Sequence, residues 1–186
     1  MTAGPDHRRM AVAATIATVS LVTATLAVIA LGVDRNASPV NGAYGAIACS
    51  APALPATTVS VQTTDAGDMM MGQTPLRATL VASPASVPAG RVFFAVSNIG
   101  VLVHELVVLP LPTDGPGTRP MGTNGKIDET LHLGEASRSC GADVGDGIAP
   151  GSTGWTMVTL KAGRYELVCD QPWHYAAGMF DVLTVT

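Results

Sequence analysis

Residues 160–185 read LKAGRYELVCDQPWHYAAGMFDVLTV, and this stretch decides the fold. RYELVC and FDVLTVT are apolar, β-branched and aromatic, the residue types that suit a pleated, half-buried surface. The segment between them is an irregular loop with Pro and Gly. Cys169, His174 and Met179 fall at five-residue intervals around that loop. Working outward, the same alternation of short strand and turn recurs. LRATLVA, RVFFAVSN, VLVHELVVL and WTMVTL are strand candidates, and KIDETLHL is a short one. SPASVPAG and KAG are turns, whereas PLPTDGPGTRPMGTNG and SRSCGADVGDGIAPGSTG are long irregular loops. Short strands between Gly/Pro turns, with no convincing soluble helix, predict a β-sandwich over residues 75–186.

Strand parity turns this pattern into a site. Alternate side chains of a strand share a face, so Leu102, His104, Leu106 and Val108 lie together, with Glu105 and Val107 opposite. The apolar companions point His104 inward. The same rule groups Tyr165, Leu167 and Cys169. Each candidate alone is ordinary: a His in an apolar run is commonly a hydrogen-bonded core residue, and a lone Cys a small buried hydrophobe. The joint pattern is what carries weight. Two imidazoles, a thiolate and a weak axial thioether form the blue-copper electron-transfer site. Cys and Met are soft and favour Cu(I), imidazole accommodates Cu(II), and one donor set serves both states. Structural zinc is more often held by a closed Cys/His tetrahedron without Met.

The stretch 160–185 resembles the C-terminal ligand loop of cupredoxins, and its Cys-x4-His-x4-Met spacing is similar to that of rusticyanin and sulfocyanin. VSNIGVLVHELVVL resembles the strand that brings the first His in that family. The resemblance covers roughly residues 75–186. It implies an all-β Greek-key β-sandwich with copper near one end, one ion per chain. It also implies His104, Cys169 and His174 as strong equatorial ligands and Met179 as the axial one. Several family members carry Asn or Ser directly after the first His, where this chain has Glu105. The implied activity is one-electron transfer, entering through the edge of His174. Trp173, Tyr175, Ala176 and Ala177 flank that residue as an apolar docking patch for a redox partner, by analogy a respiratory-chain component.

Intrinsic catalysis is argued against by counting. The chain has 4 His. His104 and His174 are used and His7 precedes the apolar run, so only His132 remains for a second copper site. His132 reads as a solvated residue. Two other functions compete. One is a copper carrier or storage module that adds Met69, Met70 and Met71, thioethers suited to Cu(I). The other is a metal-free interaction module on the same fold.

The first third of the chain reads differently. Residues 10–33 carry no charge, and as a helix would span about 36 Å, against roughly 30 Å of bilayer hydrocarbon. His7, Arg8 and Arg9 precede the run, which orients residues 1–9 to the cytoplasm and the rest outside. We read a retained transmembrane anchor. A cleaved signal ending at Ala46-Ile47-Ala48 is the alternative, and it leaves the domain secreted. Residues 34–74 are Ala-, Pro- and Thr-rich and read as a flexible stalk. With 3 Cys and one assigned to metal, Cys49 and Cys140 are either a disulfide pair or two separate thiols. The net charge of −4 and the lack of a basic run exclude nucleic acid as a partner.

Overall fold

The computed structural model describes residues 49–66 and 77–186. Among these residues, nine strands form two sheets. The first sheet contains β1 (Thr57–Ala66), β2 (Arg77–Ser83), β4 (Gly90–Asn98) and β7 (Thr153–Leu160), in the order β2-β1-β4-β7. The second contains β3 (Ser86–Val87), β5 (Leu106–Pro110), β6 (Gly134–Ala136), β8 (Gly163–Val168) and β9 (Phe180–Val185), in the order β3-β9-β8-β5-β6. Val59, Leu80 and Phe94 from one sheet and Leu106, Leu167 and Leu183 from the other share a single buried cluster, so the sheets pack face to face. This all-β architecture agrees with the sequence pattern. Alternation explains how it closes: β2 buries Ala78, Leu80 and Ala82 and exposes the residues between them.

Strand β5 breaks that alternation for a physical reason. Leu106 and Val108 enter the inter-sheet core, while Val107 and Leu109 join a second cluster with Ile127, Val168 and Tyr175. Ile127 comes from the long excursion between β5 and β6, which covers the outer face of this sheet near the loop ends. KIDETLHL, expected as a strand, lies in that excursion and is a turn. The Asp128 carboxylate accepts the Thr130 amide at 2.9 Å, and His132 N–H donates to Glu129 O at 2.8 Å. A local Asx bond outcompetes the ladder there, and pairing resumes only at Gly134.

The stalk boundary is also corrected. Residues 57–66 form β1, an inner strand paired antiparallel to β2 and parallel to β4. TTVSVQTTDA has no Leu, Ile or Phe, so its composition hides a strand whose alternate residues Val59, Val61, Thr63 and Asp65 all point inward. The open question about the thiols resolves as well. Cys49 and Cys140 are bonded, with Cα atoms 5.5 Å apart across a separation of 91 residues. No helix among the described residues is long and apolar enough to cross a membrane. The run at 10–33 and the Met69–Met71 triplet lie outside the described residues.

Candidate metal centre

Three of the four expected ligands meet at one buried point. His104 Nδ1 lies 3.2 Å from His174 Nδ1, and Cys169 Sγ lies 3.8 Å from the first and 3.4 Å from the second. The rings are tilted by 55°, with centroids 5.0 Å apart. Met179 is fully buried in the same core cluster as Cys169. Its backbone closes the loop, accepting Cys169 N–H at 3.1 Å and donating to His174 O at 3.2 Å.

Local chain geometry sets each side chain. His104 does not lie within a long strand. It precedes β5 and bridges Ile148, donating to Ile148 O at 3.2 Å and accepting its N–H at 2.7 Å. The buried Asn98 amide steadies this crossing by donating to Leu102 O and Ile148 O, both at 2.8 Å. Cys169 follows β8 directly. From there the loop coils tightly: His174 N–H donates to Gln171 O at 3.0 Å and Ala177 N–H to His174 O at 3.0 Å. Gly178, at φ 89°, supplies the left-handed residue that turns the chain into β9.

The excursion between β5 and β6 braces this loop from outside. Trp173 N–H donates to Gly125 O at 2.8 Å, and the indole lies so close to Gly125 that an added Cβ would sit 2.7 Å from the ring. Asp170 Oδ1 accepts Ile127 N–H at 2.7 Å. Deeper, Glu166 is fully buried and accepts from Arg119 Nε at 2.6 Å, Gly117 N–H at 2.7 Å and the Tyr175 hydroxyl at 3.0 Å. Tyr175 was expected in the surface patch. It is instead 4% exposed, because its hydroxyl reaches inward to Glu166. Trp173 stays 56% exposed, and Ala176 is exposed beside it.

Electrostatics at the point of convergence favour neutral donors. Burial lowers His104 to about 4; the neighbouring His174 adds to this, and Asp65 opposes it. Burial lowers His174 as well, again opposed by Asp65. Burial pushes the Cys169 thiol up to about 12, although the Gln171 and Glu105 amides pull the other way. The Glu105 N–H donates to Cys169 Sγ at 3.4 Å. The residue after the first His thus serves the sulfur through its backbone. Its side chain is buried, with Oε2 accepting from Gln171 Nε2 at 2.9 Å and Oε1 3.8 Å from Lys126 Nζ. Beside the centre, Glu105, Glu129 and Asp170 bring carboxyl oxygens within 4.8 Å of one another. Burial and the Asp170 carboxylate push Glu129 up to about 8.

The donor set fits copper rather than a hard cation: two imidazole nitrogens face each other beside a thiol and a buried thioether. Sequence reasoning missed Asp65, the Glu105 amide and the Arg119–Glu166–Tyr175 brace. Only Asp65 carried a signal, the alternation of VSVQTTD. His132 is exposed and remote from this role.

Comparison with known proteins gives the centre a family context. The sulfocyanin (SoxE) domain model matches residues 81–186. No curated protein matches the chain. Dithionite-reduced auracyanin from the photosynthetic bacterium Roseiflexus castenholzii is similar at 20% identity and TM-score 0.44, over 70% of this chain and 98% of its own. Auracyanin B is similar at 22% and 0.45, over 74% and 94%. Rusticyanin from Thiobacillus ferrooxidans is similar at 20% and 0.40, over 70% and 78%. The family assignment rests on the domain match, not on these superpositions.

Proposed function

The chain belongs to the sulfocyanin family of cupredoxins, copper-binding electron-transfer proteins, and from that premise we propose that His104, Cys169, His174 and Met179 hold one copper ion outside the cytoplasm. The observation that carries this reading is the convergence of two imidazole Nδ1 atoms and one Sγ within 3.8 Å of one another, all three residues buried. Bound copper would supply the Cu(I)/Cu(II) couple.

The chain's own residues do the rest. His104 and His174 would offer uncharged rings, each with one bare nitrogen, at neutral pH, since burial lowers both. Cys169 would hold the ion as a thiolate, its proton released to solvent, and the Glu105 amide, which already donates to Sγ, would stabilise that charge. Met179, buried in the same core cluster as Cys169, would add a soft thioether to the donor set. Burial excludes water, and anchoring at strand ends and in a braced loop keeps the donors in place through a change of charge. His174 is 6% exposed while His104, Cys169 and Met179 are fully closed, so it is the opening for an electron. Trp173 and Ala176 beside it form the contact for a redox protein, of the kind found in a respiratory chain.

The same reading makes the protein a carrier and not an enzyme. Beyond the two site imidazoles, the described residues hold only the exposed His132. The disulfide between Cys49 and Cys140 supports an oxidising compartment, and the basic residues before the apolar run support a membrane tether with the domain outside.

The test is copper loading of the full chain. We expect one copper per chain, an intense band at about 600 nm from thiolate charge transfer, and a reversible one-electron wave. A colourless complex with no reversible wave would instead make this a Cu(I) carrier, and no binding at all would leave an interaction module.

A further inference from the structure

Asp65 reaches the centre from a strand that lies outside the matched domain, which begins at residue 81. On β1 the inward positions are Val59, Val61, Thr63 and Asp65, and the last puts a carboxylate only 8% exposed at the metal end of the core. Its oxygens accept the Val101 amide at 2.7 and 2.9 Å and the Leu102 amide at 3.1 and 3.0 Å. The carboxylate also lies against Gly100, where an added Cβ would sit 2.7 Å from Oδ1. The acid therefore pins the turn that delivers His104 two residues later.

The His104 ring completes the picture. Its Nδ1 faces His174 and Cys169. Its Nε2 is buried without a hydrogen-bond partner, 3.7 Å from Asp65 Oδ2. A metal on Nδ1 leaves the ring proton on Nε2, and a buried N–H with no acceptor is costly. Metal-bound imidazoles ordinarily meet this need with a carboxylate, a carbonyl or water.

We propose that Asp65 is the positioning residue of His104: its carboxylate takes the Nε2–H, holds the tautomer that presents Nδ1, and favours the more positive Cu(II) state. This rests on the copper reading above. The effect has two parts. An acceptor on Nε2–H fixes ring orientation and makes Nδ1 a better donor. A negative charge close to a buried ring in a low-dielectric site stabilises the oxidised ion more than the reduced one.

The test uses the full, copper-loaded chain. Asp65→Asn keeps the size and one oxygen for the two amides but removes the charge. The blue band should persist, and the ratio of Cu(II) to Cu(I) affinity should fall about tenfold, which raises the potential by about 59 mV. Asp65→Ala removes the acceptor too and should shift further in the same direction. A blue wild type whose potential stays put in both variants overturns the role of Asp65 alone. A wild type with no blue band overturns the copper reading and this role together. A second measurement needs no variant: nitrogen-15 NMR of the Cu(I)-loaded wild type should find the His104 proton on Nε2 and slow to exchange. A bare Nε2, or a proton exchanging as freely as that of exposed His132, overturns the proposal even if the variants do not fold.

Discussion

The ligand loop between β8 and β9 and the strand β1 meet at the same centre from opposite kinds of sequence. The loop carries three chemically rare side chains, Cys169, His174 and Met179, within eleven residues. Strand β1 carries one common acid in a run of Thr and Val. The loop's contribution is local, since spacing and a tight turn bring its donors together. That of β1 is topological, since Asp65 reaches His104 only because β1 pairs parallel to β4 inside the first sheet. Ligands announce themselves by type, whereas the groups that aim them are ordinary residues put in place by strand pairing.

The two regions should therefore fail differently. The largest effect belongs to the loop: Cys169→Ser should abolish the visible band while far-ultraviolet circular dichroism stays that of a β-protein. A band that survives would remove the sulfur from the site. On the N-terminal side, replacing Cys49 and Cys140 by Ser opens a closure spanning 91 residues. It should cost about 4 kcal/mol of folding stability, read by denaturant titration, while the folded fraction keeps its colour. Colour lost in step with the disulfide would make the two regions one unit.

Smaller changes sharpen the contrast within the loop's own support. Arg119→Ala leaves Glu166 buried without its cation and should cost about 3 kcal/mol; a neutral result in thermal unfolding would mean that Tyr175 and the Gly117 amide suffice. Gly125→Ala drives a methyl into the Trp173 ring at φ 76°. It should cost about 2 kcal/mol and slow electron exchange with a partner, because the exposed indole must move. An unchanged exchange rate would take Trp173 out of the docking contact.

The smallest effect is a slope. The Cys169 thiol, pushed up to about 12, is protonated throughout the neutral range, whereas both imidazoles are lowered and already neutral above about pH 7. Binding then releases one proton, so copper affinity should rise about tenfold per pH unit between about pH 7 and 9. Competition with a chelator of known affinity would measure it. A flat profile would mean that the thiolate is preformed, and a slope of two would mean that an imidazole is still charged.

Much of this was legible in the sequence, and the gaps have physical reasons. Parity put Leu102, His104, Leu106 and Val108 on one face of their strand and Tyr165, Leu167 and Cys169 on one face of theirs. Leu106, Val108, Leu167 and Cys169 do share the inter-sheet core, with Tyr165 half-buried at its edge, while Val107 and Val168 fall in the second cluster. Parity also turned Glu105 away from the core, yet Glu105 is buried, because the excursion before β6 covers the second face. Composition put residues 57–66 in a stalk because Thr and Ser dominate it, although alternation there was intact. KIDETLHL looked like a strand because side-chain competition from Asp128 does not show in an apolar pattern. Tyr175 looked like surface because its partner, Glu166, lies nine residues back on the outer face of β8, where the excursion between β5 and β6 covers it and Arg119 satisfies its charge.

The most direct test of the central claim is copper-edge X-ray absorption on the loaded full chain. One short Cu–S contact and two Cu–N contacts from imidazole rings are the predicted shell, with the sulfur contact absent in Cys169→Ser. A shell of oxygen and nitrogen alone, unchanged by that substitution, would contradict the assignment of His104, Cys169 and His174 to one ion.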